Sequence, residues 1–227
     1  MSRTPDDPRC SLVTITHANF EFAIADVREI LRQYDSRTDH RSGRASRQSE
    51  VLKRAAVILS VTAWESFIED SLRDRASAAI NTAARPMDLQ SLFNSVAHDW
   101  LERTPKPPGL ADWTGDGWKT LLRNKLESDI LTLNTPNSQH VRVLSKRYLG
   151  EDITTRWRWE GTTPAQAARR LDSLMRLRGD VAHHGREAFK RAAAITRKQA
   201  VQAISLVERL VESTERALGT APRPFGD

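Results

Sequence analysis

From about Ala45 to Thr82 the chain carries one long helical pattern, which includes VLKRAAVILSVTAWESFIEDSLRDRA. Leu52, Ala55, Ala56, Leu59, Ala63, Phe67 and Leu72 recur at helical spacing and make a broad apolar stripe. A helix of that length reads as the spine of a bundle. Pro86 ends it, because proline lacks the amide hydrogen that a continuing helix needs. The wider composition agrees: only ten glycines and ten prolines interrupt 227 residues. Alanine, leucine, arginine and glutamate are plentiful, and all are good helix formers.

The flanks supply further helices. Residues 11–34 carry Phe20, Ile24, Val27, Ile30 and Leu31 at helical spacing. Residues 35–47 break the pattern and hold Arg37, Arg41, Arg44 and Arg47 against Asp39. They read as a solvated, mobile linker, with a phosphate-tracking loop as the alternative. Asp88 is the expected cap of a helix over 88–103, with Leu89, Leu92, Phe93, Val96 and Trp100 on one side. The stretch 104–117, TPKPPGLADWTGDG, is the clearest loop and reads as an insertion between helices. Trp118, Leu121, Leu122, Leu126, Ile130 and Leu131 mark the next helix, and Thr135-Pro136-Asn137 stops it. A short helix with Val141, Val143 and Leu144 follows. Residues 154–161, TTRWRWEG, are the one extended piece, with Trp157 and Trp159 on one side by the strand period. Thr163-Pro164 then opens a helix through Ala168, Leu171, Leu174, Leu177 and Val181 towards Gly185. A last amphipathic helix over 196–218 turns Ala200, Ala203, Ile204, Val207, Leu210 and Val211 inward. The predicted class is therefore all-α. Its divisions are a disordered start (1–11), a single helical domain (12–218) and a disordered tail (219–227).

Charge permits a polyanionic partner without requiring one. Lys and Arg number 35, of which 28 are Arg, and the net charge is +6. Guanidinium groups pair with phosphate oxygens two at a time, yet arginine enrichment also follows from genomic base composition. The single cysteine, Cys10, excludes an internal disulfide and points to a reducing compartment. The start MSRTPDDPRC lacks the apolar core of a signal peptide, and the apolar run near residues 55–64 is too short to cross a bilayer. A soluble, cytoplasmic protein is the expectation.

Chemistry is concentrated in one place. There is no glycine-rich phosphate loop, cysteine-based zinc spacing, HExxH or serine elbow, so neither metal nor cofactor is expected. Only His183 and His184 cluster with other candidate groups, in RLDSLMRLRGDVAHHG. Leu174, Leu177 and Val181 define the buried stripe of that helix. Arg178 and His183 stand five residues apart, about 140° around the axis, so they are expected to flank the stripe. Asp180 lies within reach of either imidazole. Such a splayed pair makes a poor site alone. Two copies of the helix across a two-fold axis would bring both pairs to one cleft, a geometry that suits metal-independent RNA cleavage. The alternative is that the histidines merely finish a helix, with Arg178 solvated.

RGDVAHHG resembles the Arg-x4-6-His signature of the HEPN superfamily. ILSVTAWESFIEDSL, LNTPNSQHVRVLSKRYLG and WRWEGTTPAQAARRLDSLMRLRGDVAHHG are similar, in order, to the RiboL-PSP-type HEPN domain over roughly 12–218. The resemblance implies an all-α helical bundle with a loop-rich insertion and a short Trp-containing extended segment. It implies a homodimeric endoribonuclease of the toxin or anti-phage kind, acting on RNA and held in check by an antitoxin or regulatory protein. It makes His183 the acid/base and Arg178 the phosphate binder, and His184 also fits the looser spacing. The position after the arginine is often Asn, Asp or another polar residue in that family and is Gly179 here. Asp180 is the candidate to supply the missing polar contact. Glu65 and Glu69 are candidates to orient a histidine, or else are solvated or paired with Arg73. Arg170, Arg176 and Arg186 are weaker candidates for RNA contact, and Trp157 and Trp159 either stack bases or pack on the bundle. A non-catalytic module binding RNA or protein, and a structural scaffold, are the other readings.

Overall fold

The computed structural model describes residues 8–38, 47–103, 109–133, 135–183 and 195–220. Among these are seven α-helices: α1 (Pro8–Thr38), α2 (Arg47–Thr82), α3 (Gln90–Arg103), α4 (Gly117–Leu131), α5 (Ser138–Leu149), α6 (Pro164–His183) and α7 (Arg197–Thr220). Single 3-10 turns occupy Pro86–Leu89, Leu110–Trp113 and Ile153–Arg156. The all-α class holds. None of the described helices is long and apolar enough to cross a membrane.

The spine is α2. It touches α1, α4, α5, α6 and α7, so it needs apolar residues on several sides. Ala56, Val57, Val61, Trp64, Ile68 and Ile80 are all fully buried. α1 runs back along it, longer at both ends than the 11–34 pattern, with Phe20 edge-on to Phe67 at 5.8 Å and Thr16 donating to Asp74 at 2.9 Å. Leu59 was expected in the stripe but is 39% exposed, as is Leu131 at 77% and Val143 at 44%. Each has a local reason. Leu59 sits across the helix from the Val57–Val61 face, Leu131 is the last residue of α4, and Val143 is two residues, about 200°, round from buried Val141.

Two tryptophans fasten the helices together. Trp64 Nε1 donates to the Pro136 carbonyl at 3.1 Å, just before Asn137 caps α5 by accepting from the His140 amide. Its ring meets Trp157 edge-on at 5.8 Å, and Trp157 Nε1 donates to Thr214 Oγ1 of α7 at 2.9 Å. Ser138 at the start of α5 donates twice to Asp172 of α6. The expected extended piece is shorter than predicted. Asp152 accepts from the Thr154 amide and winds 153–156 into a 3-10 turn, leaving one antiparallel bridge between Trp159 and Thr162. Gly161, at φ 67°, closes that reversal.

Capping explains the remaining boundaries. Thr163 and Gln166 exchange side-chain and backbone hydrogen bonds around Pro164, as the Thr-Pro signal anticipates. Thr196 and Gln199 repeat the device at α7. Asp88 departs from expectation: it accepts from the Ala84 and Arg85 amides behind it, inside a turn that Pro86 starts, rather than capping α3. Part of the 104–117 loop is described: Trp113 packs edge-on against Phe93 at 5.2 Å. A Cβ on Gly117 would stand 2.2 Å from the Asp112 carbonyl oxygen. Gly117→Ala is therefore expected to lower stability by about 1–3 kcal/mol, read by urea unfolding.

α3, α4 and α5 meet at a charged knot. Asp129 accepts from Lys125 at 2.5 Å, Arg147 at 2.6 Å and Tyr148 at 2.8 Å, while Arg147 also reaches Asp99 at 3.0 Å. Burial works to raise the Asp129 carboxyl, but hydrogen bonds from Lys125, Tyr148 and Arg147 outweigh it and hold the group below its ordinary value of 3.8. A carboxyl depressed by folding stabilises above its unfolded pKa, and that contribution fades as pH falls through the folded value. Asp129→Asn should thus cost on the order of 2 kcal/mol near neutrality. The gap to wild type should narrow below about pH 4 in denaturation curves.

Candidate functional site

The motif lies at the C-terminal end of α6. Thr163 and Gln166 start this helix, and Ala167, Leu171, Leu174, Met175 and Val181 bury one side of it, with Leu177 only half-buried. The stripe is therefore rotated towards Met175 from the expected Leu174–Leu177–Val181 line. That rotation matters for Arg178. It falls on the stripe rather than beside it, and is 29% exposed where a solvated arginine was one expectation.

Arg178 faces Glu65 of α2. Its Nη2 is 4.0 Å from Glu65 Oε2, and the Glu65 side chain is 16% exposed. Arg178 Nε and Glu65 Oε1 are both buried and have no hydrogen-bond partner among the described residues. Burial lifts the Glu65 carboxyl above its ordinary value, and Arg178 offsets part of the rise. Glu69, one turn on, is also raised by burial; Arg73 opposes the rise while Glu65 and Asp70 add to it. Arg73 does not claim either glutamate by hydrogen bond. It binds Glu127 through Nε and Asp70 through Nη1. Glu65 is thus placed against the motif arginine.

His183 ends α6, and its backbone alone is described. At helical spacing it lies about 140° round from Arg178, as expected. His184 and Arg186 fall outside the described residues. Asp180 is exposed, on the side of α6 away from Arg178. Arg170 and Arg176 are exposed too, with Arg170 donating to Thr162 Oγ1 and Arg176 to Ser173 Oγ, each at 3.0 Å. A Cβ at Gly179 would touch no described atom within 4 Å.

Trp157 is removed from any ligand, being fully buried. Trp159 is half-buried at the edge of the bundle. One residue that the sequence did not single out joins the site: Arg54 of α2 donates through Nη2 to the Val181 carbonyl at 2.7 Å. It satisfies an acceptor in the last turn of α6, where carbonyls lack partners within the helix. Its only sequence signal is helical: Arg54 precedes Glu65 by eleven positions, three turns along the same side of α2. No group of three or more described His, Cys, Asp or Glu residues is placed to hold a metal ion.

The Glu65–Arg178 contact has a measurable consequence. Replacing Arg178 with methionine removes the cation that offsets burial, so the Glu65 carboxyl should rise further. Carbon-detected NMR titration of the glutamates reads this directly, and an unchanged Glu65 midpoint would show that the two charges are not coupled.

The curated proteins and the solved structures give no match to this chain. A family match does exist, covering residues 19–220, from within α1 to the end of α7 and including the whole Arg178–His183 segment. An all-helical fold and a match over most of its length make the chain a member of the RiboL-PSP-HEPN family.

Proposed function

We propose that the protein is a metal-independent endoribonuclease whose site is completed by a second copy of the chain. The observation that carries this reading is Arg178. Folding holds its guanidinium at the edge of the core beside Glu65, with Nε lacking a hydrogen-bond partner among the described residues. A buried N–H left without an acceptor is costly unless an anion takes it up. Membership of the HEPN family supports RNA as that anion's source. The separation of Arg178 and His183 around α6 supports a composite cleft, since one helix does not turn both groups to the same point.

In this reading neutral His183 takes the proton from a ribose 2′-OH, whose oxygen attacks the adjacent phosphorus. The P–O2′ bond forms as the P–O5′ bond breaks. Arg178 stabilises the added negative charge, and the imidazolium of the second copy's His183 protonates the departing 5′-oxygen. The products carry a 2′,3′-cyclic phosphate and a 5′-hydroxyl. Asp180, His184 and Glu69 are auxiliary groups, and Glu65 positions the arginine. The biological setting that follows is a toxin or phage-defence effector restrained by a partner protein. A second reading, a non-catalytic module, draws on the carboxylate of Glu65 already standing beside Arg178.

The test is cleavage of RNA in EDTA, with product ends identified. Cyclic phosphate ends are expected, with rates reduced roughly 10²–10⁴-fold by Arg178→Ala or His183→Ala. Binding without cleavage would favour the module, and a strictly monomeric, active protein would exclude the composite site.

A further inference from the structure

An open groove of about 1000 Å³ runs between α6 and the first half of α7. It lies across α6 from the Arg178–Glu65 contact. Its walls carry Arg169, Arg170 and Arg176 from α6 and Arg209 from α7, against one acidic residue, Asp180. All four arginines are exposed. Arg170 and Arg176 give a hydrogen bond to a hydroxyl, and Arg209 one to Glu212 at 3.1 Å. A guanidinium has five N–H donors, so each keeps donors for a ligand.

We propose that this groove is a track for single-stranded RNA leading to the end of α6; the inference rests on the ribonuclease reading above. Three features select that occupant. The first is an excess of positive charge, with three arginines on α6 and one on α7 against Asp180, in the residue type that grips phosphate with two parallel hydrogen bonds. The second is the chemistry between the arginines. Gln202 and Ser205 line the groove, and Gln166 and Gln199, whose side-chain oxygens cap α6 and α7, bring amide NH2 groups suited to base edges and ribose 2′-OH groups. They stand among Leu174, Leu177, Ala203 and Leu206, so the apolar lining is broken up by polar groups where an amphipathic peptide helix would need a continuous trough. The third is direction. Trp159, half-buried, borders the groove near Arg170, whose partner Thr162 bridges to Trp159. Its indole packs partly on the core, and in this proposal the part left exposed stacks on a base at one end. From there positions 169, 173, 176 and 180 share one side of α6, and the backbone of His183 continues that row. The row is about 21 Å long at 1.5 Å per residue, room for a few nucleotides.

The track reaches the position of His183 and leaves Arg178 on the other side of the helix. One copy thus delivers the strand to its own His183, while the phosphate-binding arginine comes from the second copy. This division of labour goes beyond the family motif, since Arg169 and Arg209 lie outside it.

The experiment uses the full-length chain with His183→Ala, so that RNA is bound but not consumed. Fluorescence anisotropy with a short labelled single-stranded RNA of mixed sequence is followed over a salt series. Adding Arg169→Ala, Arg176→Ala and Arg209→Ala should weaken binding roughly tenfold or more. The log–log salt slope should become shallower by about 0.7 per arginine removed. Trp159→Ala should cost about tenfold at fixed salt. Because these arginines are exposed, circular dichroism melting should match the parent and separates lost binding from lost folding. Equal affinity and slope in the triple variant overturn the track, and if the unmodified chain still cleaves RNA, the ribonuclease reading survives alone. No RNA binding or cleavage by any form overturns both. Tighter binding of an acidic peptide than of RNA, lost in the triple variant, overturns the track in favour of a protein-docking groove.

Discussion

The buried contact between Trp64 and Trp157 is the joint on which the bundle depends. Each indole is fully enclosed, and each N–H has an acceptor on a different element: the Pro136 carbonyl for one, Thr214 of α7 for the other. A buried indole is worth its large apolar area only if that N–H is paired, so the two hydrogen bonds set where α5 begins and how α7 lies. Through Ser138 and Asp172 the same joint reaches α6. The helix that carries the family motif is thus positioned in part by packing at Trp64, the chain neighbour of Glu65.

Polar groups are handled differently in the two halves of the molecule. Around Asp129 the donors are numerous and the carboxylate is fully engaged, so the ions act as a fastening between α3, α4 and α5. Around Glu65 and Arg178 the same ingredients are present but the hydrogen bonds are not. A half-buried pair of charges at 4.0 Å, each with an unmet polar atom, contributes little to stability. That contrast separates a structural ion cluster from a site, and it supports reading the second as a place where a ligand acts.

Local signals were legible where one helix face decides everything. The α7 stripe from Ala200 to Val211 is buried as its spacing requires, and Thr163-Pro164 starts α6 where expected. Legibility fell where burial comes from several directions. On α2, enclosed by five helices, a single stripe misassigned Leu59 and passed over Val57, Val61 and Trp64. Trp157 and Trp159 looked like alternate residues of a strand, but Asp152 winds the preceding residues into a 3-10 turn, and the two indoles have separate fates. The motif itself was visible, since Arg178 and His183 are close in sequence. The pairing of Arg178 with Glu65, 113 residues earlier by the numbering, was not anticipated, since Glu65 was expected to orient a histidine, to be solvated or to pair with Arg73. The groove was not legible at all, because it exists only once α6 and α7 are set side by side.

Arg54 changes what defines the motif. A helix commonly ends on its own terms, at a glycine or a local hydrogen bond. Here the Val181 carbonyl is answered by a guanidinium from α2. The length of α6 is thus written partly in another helix, 127 residues away along the chain. A five-residue spacing between arginine and histidine has meaning only while the helix persists to His183. In this protein the spelling of the motif and the residue that keeps it in register belong to different segments, and the two have reason to evolve together.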